Sequence, residues 1–282
     1  MEKTVMPELP EVEVTLRGIS GALTNSEIKE IKVHYPKLRE DISPEFGQLR
    51  NLRVLKLSRR GKYIIIMTDR GSILLHLGMT GHLLVCPQDT PLKKHDHVEI
   101  MLNNGMEVRF NDQRRFGLFL WIPEGQDVYR NRYLVNLGYE PLTDEFTPEA
   151  LYAELMKHPK KPVKQALMTN EIVVGIGNIY ASEILFTCRI HPLTPAGSIS
   201  IDDCKKMVPV IKETLLRSIE NGGTTIRDFS GADGKMGYFV QKLNVYGKSG
   251  EKCPVCGNLI ENMVIGGRNT YFCTVCQKPR KR

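Results

Sequence analysis

Met6-Pro7-Glu8-Leu9-Pro10-Glu11-Val12-Glu13 stands almost at the start of the chain. Apolar Leu9, Val12, Leu16, Ile19 and Leu23 recur at spacings of three and four, which predicts one helix from about Glu8 to Leu23. A free N-terminal proline carries a secondary amine, and an amine flanked by carboxylates can do covalent chemistry on a sugar aldehyde carbon. Five residues, Met1 to Val5, precede Met6. While they are attached, the Pro7 nitrogen is a tertiary amide with no lone pair to attack. The expectation is that Met6 is the initiator and is removed, so that Pro7 becomes the first residue.

Beyond this helix the texture turns to β. Short apolar or alternating runs cover 28–33, 53–57, 63–67, 72–77, 82–85, 98–102, 107–111 and 117–122. Asn103-Asn104-Gly105 reads as a hairpin turn. Eight short strands at this spacing predict a β-sandwich or barrel. After Pro123 the pattern becomes helical, with candidates at 148–157, 163–168, 178–188 and 201–220. Asn178 and Asp202 are candidate N-caps, and Gly222-Gly223 is expected to stop the last helix. The polar, Gly-rich stretch from Gly231 to Gly237 reads as a mobile loop. The fold class is therefore α+β, with divisions expected near 125 and 236: 1–125, 126–236 and 237–282.

The chain has 282 residues with a net charge of +7. A basic balance favours polyanionic partners through counterion release. A merely solvated basic surface gives the same number. Lys278-Pro279-Arg280-Lys281-Arg282 reads as a flexible basic arm. No apolar run approaches the roughly 20 residues needed to span a bilayer. The opening residues lack the apolar stretch of a signal peptide, so a cytoplasmic location without a membrane partner is expected.

Three of the seven cysteines, Cys86, Cys188 and Cys204, are scattered and read as small buried hydrophobes. The other four, Cys253, Cys256, Cys273 and Cys276, form two Cys-x-x-Cys pairs separated by 16 residues. Four thiolates at these spacings converge tetrahedrally on one zinc ion, and a closed four-sulfur site is structural. Disulfides or a redox pair fit a cytoplasmic chain poorly. Between the pairs, Ile265-Gly266-Gly267-Arg268 predicts a hairpin with Arg268 at its tip, where it either meets a phosphate or stays solvated.

Other motifs keep two readings each. Ser58-Arg59-Arg60-Gly61-Lys62 is either a charged hairpin turn or a turn that holds Lys62 over a polyanion. In Asn111-Asp112-Gln113-Arg114-Arg115-Phe116-Gly117, Phe116 either wedges into a base stack beside Arg114 or starts a strand and points inward. Gly175-Ile-Gly177-Asn178 fails the dinucleotide-binding pattern, because Tyr180 occupies the third glycine position. It reads as a turn feeding a helix whose amides either hold a phosphate or are simply capped. His95 and His97 are read as pointing to opposite faces of a strand edge, against a shared metal ion, with His95 better suited to a phosphate.

In order and spacing these blocks are similar to those of the bacterial formamidopyrimidine-DNA glycosylase family, from Pro7 to Gln277. The resemblance rests on Pro7-Glu-Leu-Pro-Glu-Val-Glu13, Arg59-Arg-Gly-Lys62, His76-Leu-Gly-Met79-Thr-Gly81, Lys94-His-Asp-His97, Arg114-Arg-Phe-Gly117, Gly175-Ile-Gly-Asn-Ile-Tyr-Ala-Ser-Glu183, Gly222-Gly-Thr-Thr225 and the four-cysteine finger. It implies an N-terminal β-sandwich with an N-terminal helix, a helix-two-turns-helix domain and a C-terminal zinc finger, with DNA in the cleft between the lobes. It further implies a monomeric, nucleoid-associated bifunctional glycosylase and lyase. The expected substrate is double-stranded DNA carrying 8-oxoguanine, formamidopyrimidines or abasic sites, and the damaged nucleotide would be flipped out.

By motif match, Pro7 would form a Schiff base that drives β- and then δ-elimination, with Glu8 as general acid. Lys62 would bind phosphate and assist β-elimination, and Glu11 would support the pocket. Met79, Arg114 and Phe116 would fill the gap left by the flipped base, with Arg114 addressing the orphaned cytosine. His95, Lys160 and Asn178 would hold phosphates, and Arg268 would clamp a phosphate and take part in δ-elimination. A loop from about Thr225 to Tyr238 would close over the purine. Gln113 departs from the proline common among relatives, which bears on loop stiffness.

Two other readings compete. An endonuclease VIII-like enzyme for oxidised pyrimidines typically has Gly where Leu9 stands. A non-catalytic zinc-dependent binder of damaged DNA would fit a chain that keeps residues 1–5, but leaves Glu8 and Lys62 without a use.

Overall fold

The computed structural model describes residues 6–223 and 243–279. Residues Met1–Val5, the glycine-rich segment at 231–237, the loop at 225–238 and the last three residues of the basic arm lie outside them. By its contacts the chain divides into two compact units, Met1–Val135 with Asn221–Val240, and Asn136–Glu220 with Gln241–Arg282.

The first unit opens with helix α1, Leu9–Leu23, whose buried Leu9, Val12, Leu16, Ile19 and Leu23 are the periodic residues. Pro10 suits the first turn, where its missing N–H is not needed. Eight antiparallel strands follow: β1 (Glu27–Val33), β2 (Arg50–Arg60), β3 (Tyr63–Thr68), β4 (Gly71–His76), β5 (Gly81–Pro87), β6 (Asp96–Leu102), β7 (Met106–Asp112) and β8 (Leu118–Pro123). They run in the order β5-β7-β6-β1-β2-β3-β4-β8.

Strand β2 turns this ribbon into a sandwich. Its first residues pair with β1, Leu52 opposite Ile28, and the remainder pairs with β3, Arg60 opposite Tyr63. The two halves close on one core that includes Ile100, Val108 and Phe110 from one layer and Ile64, Ile66 and Ile73 from the other. Helix α1 lies against β2, β5 and β7. The expected turn at 103–105 is present, with Gly105 at φ +82 and Asn104 Oδ1 accepting from the Met106 N–H.

The second unit holds helices α2 (Pro148–Met156), α3 (Val163–Leu167), α4 (Asn178–Thr187) and α5 (Ile201–Glu220) and the hairpin β9 (Glu261–Ile265) with β10 (Arg268–Phe272). Helix α5 is followed by Gly222 and Gly223 at φ +77 and +84, the left-handed stop read from the sequence.

Both expected N-caps are displaced. Gly177 occupies the cap of α4, and Asn178 is its first helical residue. At α5, Ser200 Oγ accepts from the Asp203 N–H while Asp203 accepts from the Ser200 N–H. This reciprocal pair puts the cap at Ser200, and Asp202 is left as a first-turn acid that favours the positive helix end.

Candidate functional site

In the first unit the site is built around the start of α1. Glu8 is 2% exposed although it is a carboxylate. Its backbone N–H donates to Glu11 Oε2 at 2.9 Å, one half of a capping box, so the buried Glu11 fixes the backbone that carries Glu8. Pro7 precedes it, half-buried.

Lys62 sits in the two-residue turn joining β2 and β3. Gly61, at φ +56, fills the first central position, as a type II′ turn requires. Arg59 holds this turn to α1. Its Nε donates to Glu13 at 3.0 Å and its Nη1 to the Gly61 carbonyl at 2.9 Å. Burial pushes the Glu13 carboxyl up, but hydrogen bonds from Arg17 and Arg59 more than offset this and hold it below its usual range. The run 58–62 is thus a hairpin turn whose arginine ties Lys62 to the helix that begins at Pro7.

His76 ends β4 with its ring 4.7 Å from that of Tyr63. Its Nδ1 accepts from the Gly78 N–H at 2.9 Å, which leaves the ring proton on Nε2. Burial, then the charges of Lys62 and Arg39, hold its pKa down to about 3. An unfolded chain takes up this proton near 6.5, whereas the folded chain refuses it until about 3. Stability therefore falls as pH drops through that window. The His76→Gln variant is expected to lose less stability on acidification, read from thermal unfolding at pH 7 and pH 4.5; equal acid losses in both proteins would contradict this.

Met79 lies between β4 and β5, and Arg114 and Phe116 lie between β7 and β8. Phe116 is 45% exposed, so it does not enter the core. The Arg114 guanidinium lies 5.0 Å from its ring centre. Arg115 is turned away at φ +57 and stacks on Tyr35, to whose hydroxyl it also donates. Gln113 is exposed in the same turn.

His95 stands at φ +75 in the turn before β6. The expectation that His95 and His97 face opposite ways fails, since their ring centres are 6.2 Å apart. The positive φ takes His95 out of the extended geometry on which the expectation rested, and its ring comes to lie edge-on to that of His97. His97 Nε2 is engaged by the Asp112 carbonyl at 2.8 Å. Among the described residues, the four paired cysteines are the group placed to hold a metal ion.

In the second unit, Asn178 and the Arg268 strand are joined by a lysine that sequence reasoning passed over. Lys164, on α3, is fully buried. Its Nζ donates to Asn178 Oδ1 and, at 2.6 Å, to Thr270 Oγ1 on β10. Asn178 Nδ2 donates to the Asn269 carbonyl at 2.9 Å. A lysine directly after Val163 and two residues before the Ala166-Leu167 pair, on a short helix that buries all three, was the available signal, because a buried ammonium demands partners. Lys160 is exposed in the turn between α2 and α3.

Arg268 closes a Gly266-Gly267 turn at φ +58 and +72, opposite Ile265, and is exposed. Both positive angles match a type I′ turn. The four cysteine Sγ atoms lie within 4.8 Å of one another. Cys253 and Cys276 are 3.8 Å apart, and Cys256 and Cys273 are 3.5 Å apart. Tetrahedral zinc with Zn–S bonds of ~2.3 Å sets sulfurs about 3.8 Å apart, so the donor set fits one structural zinc ion. Of the other three cysteines, Cys86 and Cys204 are buried and Cys188 is half-buried.

Three family models match in succession: the formamidopyrimidine-DNA glycosylase N-terminal domain over residues 6–119, its H2TH domain over 137–230, and the zinc finger found in FPG and IleRS over 250–279. The chain belongs to the formamidopyrimidine-DNA glycosylase family. It is 47% identical to a formamidopyrimidine-DNA glycosylase of Haemophilus influenzae over 273 residues, 97% of this chain and 99% of that protein. A Vibrio vulnificus relative of the same name is 49% identical over 272 residues, 96% of this chain and all of that one.

Among solved structures, MutM (Fpg) of Thermus thermophilus superposes with a TM-score of 0.84 at 31% identity, covering 98% of this chain and 100% of that chain. Lactococcus lactis Fpg bound to DNA containing Fapy-dG gives 0.84 at 32% identity, covering 96% and 100%. The expected family is the right one, and so is its architecture of β-sandwich, H2TH domain and zinc finger.

Proposed function

We propose that this chain excises oxidised purines, 8-oxoguanine and formamidopyrimidines, from double-stranded DNA and then cleaves the abasic strand. The observation that carries the reading is Pro7 set directly before the buried carboxyl of Glu8 at a helix start, with the Lys62 turn tied to that helix by Arg59. The relatives bear the name of this activity, and Lactococcus lactis Fpg has been seen on Fapy-dG DNA and on abasic-site DNA.

In the reacting form Pro7 is the first residue, and its secondary amine attacks C1′ of the flipped nucleotide. The base departs, and proton transfer from Glu8 opens the sugar. The resulting iminium acts as an electron sink, so β- and then δ-elimination cut the strand. Lys62 neutralises a phosphate and assists β-elimination. Met79, Arg114 and Phe116 fill the vacated gap, with Arg114 toward the unpaired cytosine. His95, Lys160 and Asn178 hold the backbone, and Arg268 clamps a phosphate and takes part in δ-elimination.

Cys253, Cys256, Cys273 and Cys276 would hold a zinc ion that supplies folding free energy to the hairpin carrying Arg268. The protein works as a monomer in the bacterial cytoplasm, on the nucleoid by virtue of DNA binding. No helix among the described residues is long and apolar enough to cross a membrane.

Borohydride trapping on a duplex with 8-oxoguanine opposite cytosine, followed by peptide mass mapping, tests the nucleophile. A covalent adduct on an N-terminal Pro7 is expected. An adduct on Lys62 would move the nucleophile, and tight binding without any adduct would favour a non-catalytic damage binder.

A further inference from the structure

Strand β5 begins where β7 ends, with Gly81 opposite Asp112 as the terminal pair of their ladder. Just beyond that pair lie the two turns carrying Met79 and Arg114 to Phe116. Main-chain pairing no longer joins them there, yet a side-chain relay continues across the gap. Thr80 Oγ1 donates to Asp112 Oδ1 at 2.5 Å and accepts from the Arg114 N–H at 2.9 Å. The other Asp112 oxygen accepts from the Gly117 N–H at 2.8 Å.

The Asp112 main chain extends the clamp. Its N–H donates to the His95 carbonyl at 3.1 Å, and its carbonyl accepts from the Arg115 N–H at 3.3 Å. Asp112 itself is fully buried. The turns are also seated against each other. Gly78 is at φ +66, and a Cβ there would lie 2.4 Å from the Phe116 carbonyl carbon.

We infer that Thr80 and Asp112 are a positioning pair that holds Met79, Arg114 and Phe116 in one register, so that the three enter the duplex as a unit. The inference rests on the gap-filling reading of those three residues. The polarity of the relay is dictated by its chemistry. The single hydroxyl proton of Thr80 goes to the carboxylate, and the oxygen's lone pair then faces the Arg114 amide. An ionised carboxylate only accepts, so Asp112 can serve Thr80 and Gly117 at once. An asparagine amide presents an NH2 in place of one oxygen, and one of those two donors loses its acceptor.

The relay is short and buried on one side only, so Thr80 is the place to break it without opening the core. Thr80→Val keeps the shape and removes both hydrogen bonds, while Thr80→Ser keeps them. The experiment compares these two and Asp112→Asn with the parent, all starting at Pro7, on 8-oxoguanine opposite cytosine and opposite adenine. Base stacking is followed by 2-aminopurine beside the lesion.

Thr80→Val is expected to lose roughly tenfold in kcat/KM opposite cytosine, the scale of one hydrogen bond to a charged group. The loss should fall in kcat, with the cytosine-to-adenine ratio moving toward one and a smaller 2-aminopurine change. Thr80→Ser should restore all three readouts, and Asp112→Asn should follow Thr80→Val. A Thr80→Val protein with an unchanged ratio and unchanged fluorescence would overturn the inference, even if it were less stable. Phe116→Ala and Arg114→Ala separate the two levels. If both are silent, the gap-filling reading itself fails; if they act and Thr80→Val does not, only the positioning pair fails.

Discussion

Glu8→Gln is expected to slow base excision by at least about a hundredfold while the protein stays folded. The substitution changes one oxygen to an NH2 and keeps the side chain's volume. Glu8 is held through its backbone N–H, by the Glu11 carboxylate at 2.9 Å, and through its side chain, which accepts from the Glu11 N–H; the glutamine oxygen can still accept there, so both contacts survive the change. Gly223 stands beside Glu11, where a Cβ would come within 3.2 Å of Oε1, so a side chain at that position would crowd the carboxylate that holds Glu8. What the amide cannot do is exchange a proton with the opening sugar. General acid catalysis contributes between about a hundredfold and about ten-thousandfold, and the loss in single-turnover excision of 8-oxoguanine opposite cytosine should fall within that range. Cleavage of a preformed abasic site should fall less, because no base has to leave. A Glu8→Gln protein that excises at the parental rate would remove Glu8 from the chemistry and leave Pro7 in need of another acid.

Much of the fold was legible because local signals and tertiary demands agree. The strands predicted from alternating or apolar runs lie almost wholly inside the observed ones, which extend by one to a few residues where turn residues still pair, as at Arg50–Leu52. Helix α1 was read to within one residue, since its periodic face is also its buried face. The caps were not legible at the same level. Asn178 and Asp202 are good capping residues by type, but Gly177 and Ser200 hold the cap positions. Asn178 is needed instead by Lys164 and by the Asn269 carbonyl, a long-range contact that no local window contains. Lys164 itself was hidden for the same reason, because its partner Thr270 is 106 residues away. The Thr80 and Asp112 relay was likewise out of sight: its members are 32 residues apart and neither is unusual for a strand end. The Arg114-Phe116 turn lay between, its sequence balanced between a wedge and a buried strand start, and the exposure of Phe116 decides for the surface.

Zinc removal is expected to unfold the cysteine module and with it the contact made by Arg268, while the helices of the same unit persist. The module's own core is small. Val245, Cys253, Ile260, Tyr271 and Cys273 cluster with Phe186 from α4, and two of these six are metal ligands. So little buried apolar surface cannot offset the conformational entropy of ordering some 30 residues. A structural zinc site supplies roughly 10–16 kcal/mol of apparent binding free energy in small finger peptides, which is folding free energy for this segment. The two ends of the module stay anchored without the metal. Glu183 accepts from the Asn244, Val245 and Tyr246 N–H groups at 2.8 to 2.9 Å, and Gln277 Nε2 donates to the Ile190 carbonyl at 2.9 Å. They tether the ends of the module to the helical part but cannot impose the Gly266-Gly267 turn between them. In the apo protein or a Cys273→Ser variant, amide exchange should become fast in β9 and β10 and stay slow in α4 and α5. Lesion-DNA affinity should fall by about two orders of magnitude or more, the scale for removing a desolvated cation–phosphate contact together with its support. Retained protection of β9 and β10 after metal removal would mean that the hairpin is held by its packing on α3 and α4, through Lys164 and Asn178, and that zinc is not what positions Arg268.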